Sequence, residues 1–332
     1  MLLPALALLG SLGLQQASPA SSVVYALSQL NDTLFYWDAS GATHVVGDAA
    51  LMADFDPVGP QQTCIDAREA VLYALAVNKT SQETVLIGLS LANASRVYEA
   101  PAPISQQGVL IGQGATVDCV GNGHVVVTGQ LEDGTHAAFE LVPSTGRTTP
   151  LATGFLANQT VKLLDAAHTL QTSLASPSPS YVLWVVVAAA APPGTFDLVA
   201  IDLRSGETTQ RLHLGGGGGV PATFPHTLAY DGASDTLLCT GLDTSLTPIF
   251  FTIAAASPHN ISVMGSLLQG RSVSNGLSTF DPRRRVAYVL VGSSVNASKL
   301  LVGVSADTKA VTTTDICGGG GACAFPFNIG FF

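Results

Sequence analysis

A hairpin pattern that recurs six times is the feature of this 332-residue chain that most restricts its fold. Each copy consists of an apolar strand, a short polar turn and a second strand rich in Thr or Val. The copies are YWDASGATHVV, SLANASRVYEA, ELVPSTGRTTPLA, AIDLRSGETTQRL, TIAAASPHNISVM and GVSADTKAVTTTD, which begin near residues 36, 90, 140, 200, 252 and 303. They are about 50 to 60 residues apart, and a regular period of this size indicates a repeat architecture.

A second strand–turn–strand unit precedes every hairpin except the first. These units are TCIDAREAVLYALAV, TVDCVGNGHVVVTG, HTLQTSLASPSPSYVLWVVV, HTLAYDGASDTLLCTG and LSTFDPRRRVAYVLVG. Unit and hairpin together supply four antiparallel strands, a, b, c and d, which is the pattern of a β-propeller blade. The sequence therefore predicts an all-β propeller of six four-stranded blades. Seven blades are the alternative, because the stretch 155–185 is long enough to conceal another one.

The two ends of the chain predict how the ring closes. Residues 21–50 supply strands b, c and d of a first blade, but no strand a precedes them. The final FPFNIGFF at 325–332 shares the Phe-Pro start and apolar spacing of FPHTLAYD at 224–231, a strand a. We therefore expect the C-terminal strand to pair with the N-terminal blade. A glycosylphosphatidylinositol signal is the minor alternative, but it requires a polar spacer that this tail lacks.

The predicted organisation is a signal peptide at 1–20 followed by a single propeller domain at 21–332. The expected blades cover 21–50 plus 322–332, then 61–103, 110–155, 160–215, 222–269 and 272–317.

The strings LYAL at 72–75 and LVAIDLRSG at 198–206 carry a family resemblance. They resemble the broad secreted and periplasmic propeller class of YVTN and NHL type, in which LYAL…L..ID..SG strings recur. The resemblance is one of pattern and covers about 21–332. LFYWDAS at 34–40 is similar to the YWTD motif of lipoprotein-receptor propellers, but no other repeat carries that motif.

The first twenty residues have the pattern of a secretory signal peptide. An apolar run from Leu2 to Leu14 is followed by small residues, with a cleavage point after Ala20 or Ala17. The run is shorter than the roughly 20 residues that a membrane-spanning helix needs. YVLWVVVAAAAPP at 181–193 is also short and ends in two prolines, so we interpret it as a buried strand pair and expect no transmembrane helix.

Six N-x-S/T sequons follow the signal peptide, and they predict a secreted, extracellular glycoprotein. The predicted glycosylation sites are Asn31, Asn78, Asn93, Asn158, Asn260 and Asn296. We expect all six on exposed turns or loops.

The chain carries 13 Lys and Arg against 23 Asp and Glu, for a formal net charge of -10. This charge argues against a nucleic-acid partner, because such binding needs a basic footprint. DPRRR at 281–285 is the only basic cluster, and we interpret it as a solvated a–b turn.

Five cysteines are too few for a disulfide scaffold. Cys317 and Cys323 flank GGGGA, a loop that closes easily, so we expect a disulfide there. Cys64 and Cys119 occupy similar repeat positions and form a second pair if neighbouring strands bring them together. Cys239 lies in an apolar strand and is predicted to be a buried free thiol.

Aspartates recur just before strand b. Asp66, Asp231 and Asp281 stand five residues before the start of strand b, and Asp118 is close to the equivalent position in its own repeat. A carboxylate at this position can accept bonds from backbone N–H groups two residues on, forming an Asx-turn. A repeated calcium site is the alternative interpretation.

Alignment of the a strands predicts a ring of polar side chains at the channel rim, where propellers usually bind ligands. The candidate residues are Gln61, Gln113, His168, His226, Asn275 and Asn328. The two histidines begin the tripeptide His-Thr-Leu in successive blades, and imidazoles there could bind a metal or act as general acid and base. The alternative is that they bond inter-blade backbone.

We find no G-x-S-x-G, H-E-x-x-H or C-x-x-C motif in the sequence, and no cofactor is expected. The favoured hypothesis is a non-enzymatic binding scaffold that engages an extracellular protein or glycan through its loop face. The alternatives are a propeller hydrolase, lactonase or lyase with a metal or His site at the channel mouth, and a structural cell-surface or matrix glycoprotein.

Overall fold

The computed structural model describes most of the predicted strands and their turns. The described residues are 24–28, 33–38, 42–47, 54–57, 63–101, 109–110, 115–121, 123–156, 168–173, 180–188, 196–214, 227–242, 248–266, 271–293, 299–316 and 326–331. The signal-peptide prediction and the Cys317–Cys323 pair lie outside these residues.

The described strands form six antiparallel sheets. Blade I contains β1 (Val24–Ser28), β2 (Leu34–Trp37), β3 (Thr43–Val46) and the last strand, β26 (Pro326–Phe331). Blade II contains β4 (Phe55–Pro57), β5 (Thr63–Asp66), β6 (Val71–Asn78), β7 (Thr84–Ser90) and β8 (Arg96–Pro101). Blade III contains β9 (Val109–Leu110), β10 (Thr116–Gly121), β11 (His124–Leu131), β12 (His136–Val142) and β13 (Arg147–Phe155).

The other three sheets have four strands each. Blade IV contains β14 (His168–Ser173), β15 (Ser180–Ala188), β16 (Phe196–Asp202) and β17 (Thr208–Leu214). Blade V contains β18 (Thr227–Asp231), β19 (Thr236–Leu242), β20 (Pro248–Ala254) and β21 (Ser257–Ser266). Blade VI contains β22 (Arg271–Asp281), β23 (Val286–Ser293), β24 (Lys299–Ser305) and β25 (Val311–Asp315).

Each sheet has the predicted order a-b-c-d, and the a strands form the inner ring. Contacts run from β26 to β5, β10, β14, β18, β22 and back to β26. The stretch 155–185 holds the a strand and the start of the b strand of blade IV, so the ring has six blades and not the alternative seven. The apolar segment after Ser180 forms one nine-residue strand, β15, within the described residues, where a strand pair was expected.

The C-terminal strand closes the ring as the sequence predicts. β26 pairs antiparallel with β1, with Tyr25 opposite Gly330 and Ala26 opposite Ile329. Blade I is thus assembled from both ends of the described chain, in the order β26-β1-β2-β3. Residues 326–331 therefore form the a strand of blade I.

Burial differs between the middle and the outer strands of a blade. The b and c strands have continuous buried runs, as in β6 and β7, because both of their faces are covered by neighbouring blades. The d strands are mainly exposed, as in β13 and β17. The core is therefore a set of apolar layers between adjacent blades rather than one central cluster.

A tyrosine–glycine contact recurs in this packing. Tyr73 of β6 lies opposite Gly88 of β7, and Tyr288 of β23 lies opposite Gly303 of β24. A Cβ atom on either glycine would lie 3.1 Å from the tyrosine ring. The glycines are needed because the ring occupies the space above the neighbouring strand.

Candidate functional site

The two ends of the ring differ in the length of their connections. At one end, the turn end, strands a and b or c and d are joined by short turns such as 67–70, 143–146, 232–235 and 282–285. At the other, the loop end, b joins c within a blade and d joins the a strand of the next blade. Four of the d–a connections are 47–62, 102–115, 156–167 and 215–226. Long connections on a rigid frame are typical of a recognition surface.

The recurrent aspartates form Asx-turns at the turn end, as predicted. Asp66 Oδ1 accepts from Arg68 N at 2.9 Å, and Asp281 Oδ1 accepts from Arg283 N at 2.8 Å. Asp231 Oδ1 accepts from the backbone N–H two residues on, at 3.1 Å. Asp118 differs, because it lies within β10 opposite Val126 and not at the turn.

The last residue of these turns adopts a left-handed conformation. Ala70, Asp235 and Arg285 have φ values of 53°, 50° and 53°. Three non-glycine residues hold this uncommon backbone at equivalent positions, so the turns share one geometry.

Two of these aspartates also join adjacent blades. Asp66 Oδ2 of blade II accepts from Gly123 N of blade III at 2.9 Å. Asp231 Oδ2 of blade V accepts from Arg285 Nε at 3.0 Å and from its Nη2 at 2.6 Å. Arg285 also contacts Asp307 in its own blade. DPRRR is therefore only partly solvated: its first two arginines are exposed as expected, whereas Arg285 clamps two blades.

The charge state of Asp231 follows from these contacts. Its side chain is 2% exposed, and burial alone would oppose ionisation. The bonds from Arg285 and Ser234 outweigh burial, so the pKa of the Asp231 carboxyl is below its ordinary value.

A Glu–His–Tyr cluster joins blades III and IV. Tyr181 Oη donates to Glu140 Oε1 at 2.6 Å, and His124 Nδ1 lies 3.0 Å from the same oxygen. Burial opposes ionisation of Glu140, but these two partners hold its pKa below the usual value. Burial, and then the Glu140 carboxylate, raise the pKa of the Tyr181 hydroxyl. The cluster stabilises the carboxylate at a blade junction.

A third polar group spans blades IV and V. Gln171 Oε1 accepts from Trp184 Nε1 at 3.0 Å, and Gln171 Nε2 lies 3.4 Å from Asp235 Oδ1. Tyr230 Oη donates to the same Asp235 oxygen at 2.8 Å. Polar contacts of the described turn end therefore join neighbouring blades.

The disulfide Cys64–Cys119 joins β5 of blade II to β10 of blade III. The two Cα atoms are 5.4 Å apart, and the inner-ring contact of these strands brings the cysteines together. This second predicted pair is confirmed. Cys239 is free and fully buried, as predicted, and burial raises its pKa well above the ordinary value.

The predicted rim residues lie at or near the start of the a strands. His168 is the first residue of β14, His226 directly precedes β18, and Asn275 and Asn328 fall within β22 and β26. Gln61 and Gln113 precede β5 and β10 in the chain. The side chains of all six lie outside the described part of the structure, so the ring stays a prediction.

Two sequons lie within the described residues with their side chains. Asn78 Oδ1 accepts from Thr80 N at 2.9 Å, and Asn93 Oδ1 accepts from Ser95 N at 3.0 Å. Asn93 is exposed and Asn78 is half-buried. Asn260 lies in β21, an outer strand rather than the expected loop, and its side chain is not described. Asn31, Asn158 and Asn296 lie outside the described residues.

One buried histidine was not singled out by the sequence. His136 is 1% exposed, and neither of its ring nitrogens has a hydrogen-bond partner among the described residues. It begins β12 at the loop end, beside the ring of Phe155. Burial lowers the pKa of its imidazole to about 4. The one local signal in the sequence is the turn LEDGT at 131–135. It predicts a hairpin but does not indicate that the following residue, His136, is buried.

Within the described ranges, no group of three or more His, Cys, Asp or Glu side chains is arranged to hold a metal ion. The same ranges contain no helix with the length and hydropathy of a membrane span.

No protein-family model and no curated protein matches this chain. Solved structures do match it. TolB from Acinetobacter baumannii is 9% identical, with a TM-score of 0.57 over 94% of this chain and 66% of TolB. A 6-phosphogluconolactonase-like protein from Bacteroides fragilis is 9% identical, with a TM-score of 0.55 over 95% of this chain and 99% of its own. An AofleA mutant from Arthrobotrys oligospora is 11% identical, with a TM-score of 0.52 over 90% of this chain and 87% of its own.

These similarities agree with the predicted broad propeller class and identify no specific family. At 9 to 11% identity they establish the fold alone. This chain spans slightly less than two thirds of the length of TolB.

Proposed function

We propose that this propeller is an extracellular, non-enzymatic binding scaffold that engages a protein or glycan through its loop end. The observation that carries the proposal is the difference between the two ends. Polar groups of the described turn end hold the blades together, as Asp231 and Arg285 do. Two d–a connections of the loop end, 156–167 and 215–226, have 12 residues each, and 47–62 and 102–115, which include β4 and β9, are longer. A rigid ring with long connections at one end suits recognition.

The extracellular location is supported by the chain's sequons and by its disulfide. Cys64–Cys119 is a structural bridge between blades, and such bridges persist in oxidising compartments. The signal-peptide pattern agrees with export.

The experiment compares loop-end and turn-end variants for binding. Purified secreted protein is displayed as a multimer on arrays of extracellular proteins and of glycans. Replacing 215–226 or 102–108 with Gly-Ser chains of equal length is expected to abolish a specific signal. The exposed turn-end substitution Arg284→Ala, which leaves the blade contacts intact, is expected to preserve it.

Folding of each variant is checked by circular dichroism and thermal unfolding. A folded wild-type protein that binds no array component would contradict the proposal. Binding that survives both loop replacements would also contradict it.

A further inference from the structure

Among the described residues, the outer strands of the six blades differ in how their outer edges are protected. An outer strand has unpaired N–H and C=O groups that can pair with another strand, and bulges, prolines and charged residues prevent this. The pairings of β8, β13, β17 and β21 with their c strands all contain a register shift. These four strands also contain Arg or Pro, namely Arg96, Pro101, Arg147, Pro150, Arg211 and Pro258.

The remaining two outer strands, β3 and β25, keep a continuous register and contain neither Pro, Lys nor Arg. β3 has only four residues, and Gly47 directly after it packs on blade II. A Cβ atom on Gly47 would lie 2.1 Å from the carbonyl oxygen of Asn93. β25 has five residues, none of them buried, and Val311 is 46% exposed. β25 is therefore the less protected edge.

We propose that β25 pairs antiparallel with β25 of a second copy of this chain. The residues around this strand are complementary to themselves in that orientation. Lys309 precedes the strand and Asp315 ends it, so antiparallel pairing places opposite charges together at both ends. With Thr312 on the twofold axis, Val311 lies opposite Thr313 of the second copy, and Lys309, in the turn before the strand, comes near Asp315 of that copy.

These pairs favour a strand interface. β-branched side chains pack well across antiparallel strands, and opposite charges placed across a pair add to stability. The formal charge of -10 on each copy opposes association at long range, but physiological salt screens charges beyond about 8 Å. A single strand edge buries less than about 1,200 Å², so we expect a weak dimer with a Kd on the order of micromolar or above.

Sedimentation equilibrium of the purified full chain over a range of concentrations tests this interface. The double variant Val311→Lys/Thr313→Lys places lysines opposite lysines, and we expect dimerisation to weaken about tenfold or more. The control Thr148→Lys/Thr209→Lys adds the same charge at exposed positions on the bulged strands β13 and β17. It is expected to dimerise like the wild type.

A charge exchange identifies the register. Lys309→Asp leaves two carboxylates facing each other and is expected to weaken the dimer severalfold, whereas Lys309→Asp/Asp315→Lys restores the pair and the affinity. A wild-type protein that stays monomeric at every concentration overturns the proposal. A dimer that neither set of variants weakens, although all remain folded, overturns it as well. These results leave the loop-end proposal unaffected, because β25 lies on the outer edge.

Discussion

Acidification should destabilise this propeller through His136. The imidazole is 1% exposed and lacks a hydrogen-bond partner among the described residues, so its charged form is strongly disfavoured in the folded state. Its pKa is lowered from 6.5 to about 4. The unfolded chain therefore binds the proton first as pH falls below 6.5, and stability is lost progressively until pH 4.

The size of the loss follows from proton linkage. A pKa lowered from 6.5 to about 4 is equivalent to roughly 3 kcal/mol of unfolding free energy once the pH is below 4. At pH 5 the loss relative to neutral pH is about 2 kcal/mol. This is a large fraction of the roughly 5 to 15 kcal/mol that stabilises a native protein.

The variant His136→Leu should remove this dependence. Urea unfolding of wild type and variant between pH 7.5 and 5 should give a free-energy difference that grows by about 2 kcal/mol in favour of the variant. Leu also removes two buried ring nitrogens that have no hydrogen-bond partner within the described ranges, so the variant should be at least as stable as wild type at neutral pH. A control at an exposed apolar position, Val263→Leu, leaves His136 in place and should keep the wild-type pH dependence.

Carboxylates do not obscure the comparison. The pKa values of Glu140 and Asp231 are lowered, so their stabilising contributions are present at neutral pH and are lost in more acidic solution, equally in both proteins. Parallel stability curves for wild type and His136→Leu between pH 7.5 and 5 would refute this account of the buried imidazole.

Three further predictions concern the blade junctions and the closure of the ring. Arg285→Ala leaves the Asp231 carboxylate without its cation and should lower the free energy of unfolding in urea, whereas the exposed Arg284→Ala should change it by less than about 0.5 kcal/mol. Replacing both cysteines of the inter-blade disulfide, which are 55 residues apart, should lower the unfolding free energy by about 4 kcal/mol. Deleting 324–332 removes the strand paired with β1 and should abolish secretion of folded protein; recovery of folded, secreted protein would contradict this.

Local spacing was sufficient to predict the repeated elements. The hairpin period predicted the strands, and the missing first strand a predicted the pairing of β26 with β1. The sequence also predicts the Asx-turns at Asp66, Asp231 and Asp281. Each of these carboxylates accepts from a backbone N–H group only two or three residues away. Such contacts are encoded within one turn.

Contacts between blades depend on the tertiary structure. Asp66 bonds to Gly123, which is 57 residues away, and Asp231 bonds to Arg285, which is 54 residues away. Both sequence separations are about one repeat period. The period therefore indicates which segments meet, but not which atoms of those segments face each other. For that reason the sequence alone predicts a solvated Arg285.

The sequence by itself therefore determined the strands, the repeat and the closure of the ring, because these depend on periodic hydrophobicity and on turn residues close together in the chain. Only the tertiary structure decided that Arg285 joins two blades, that Cys64 reaches Cys119, and that His136 is buried with no hydrogen-bond partner among the described residues. Those outcomes depend on how one twisted sheet lies against the next, and that geometry is set by side-chain packing across the blade junctions.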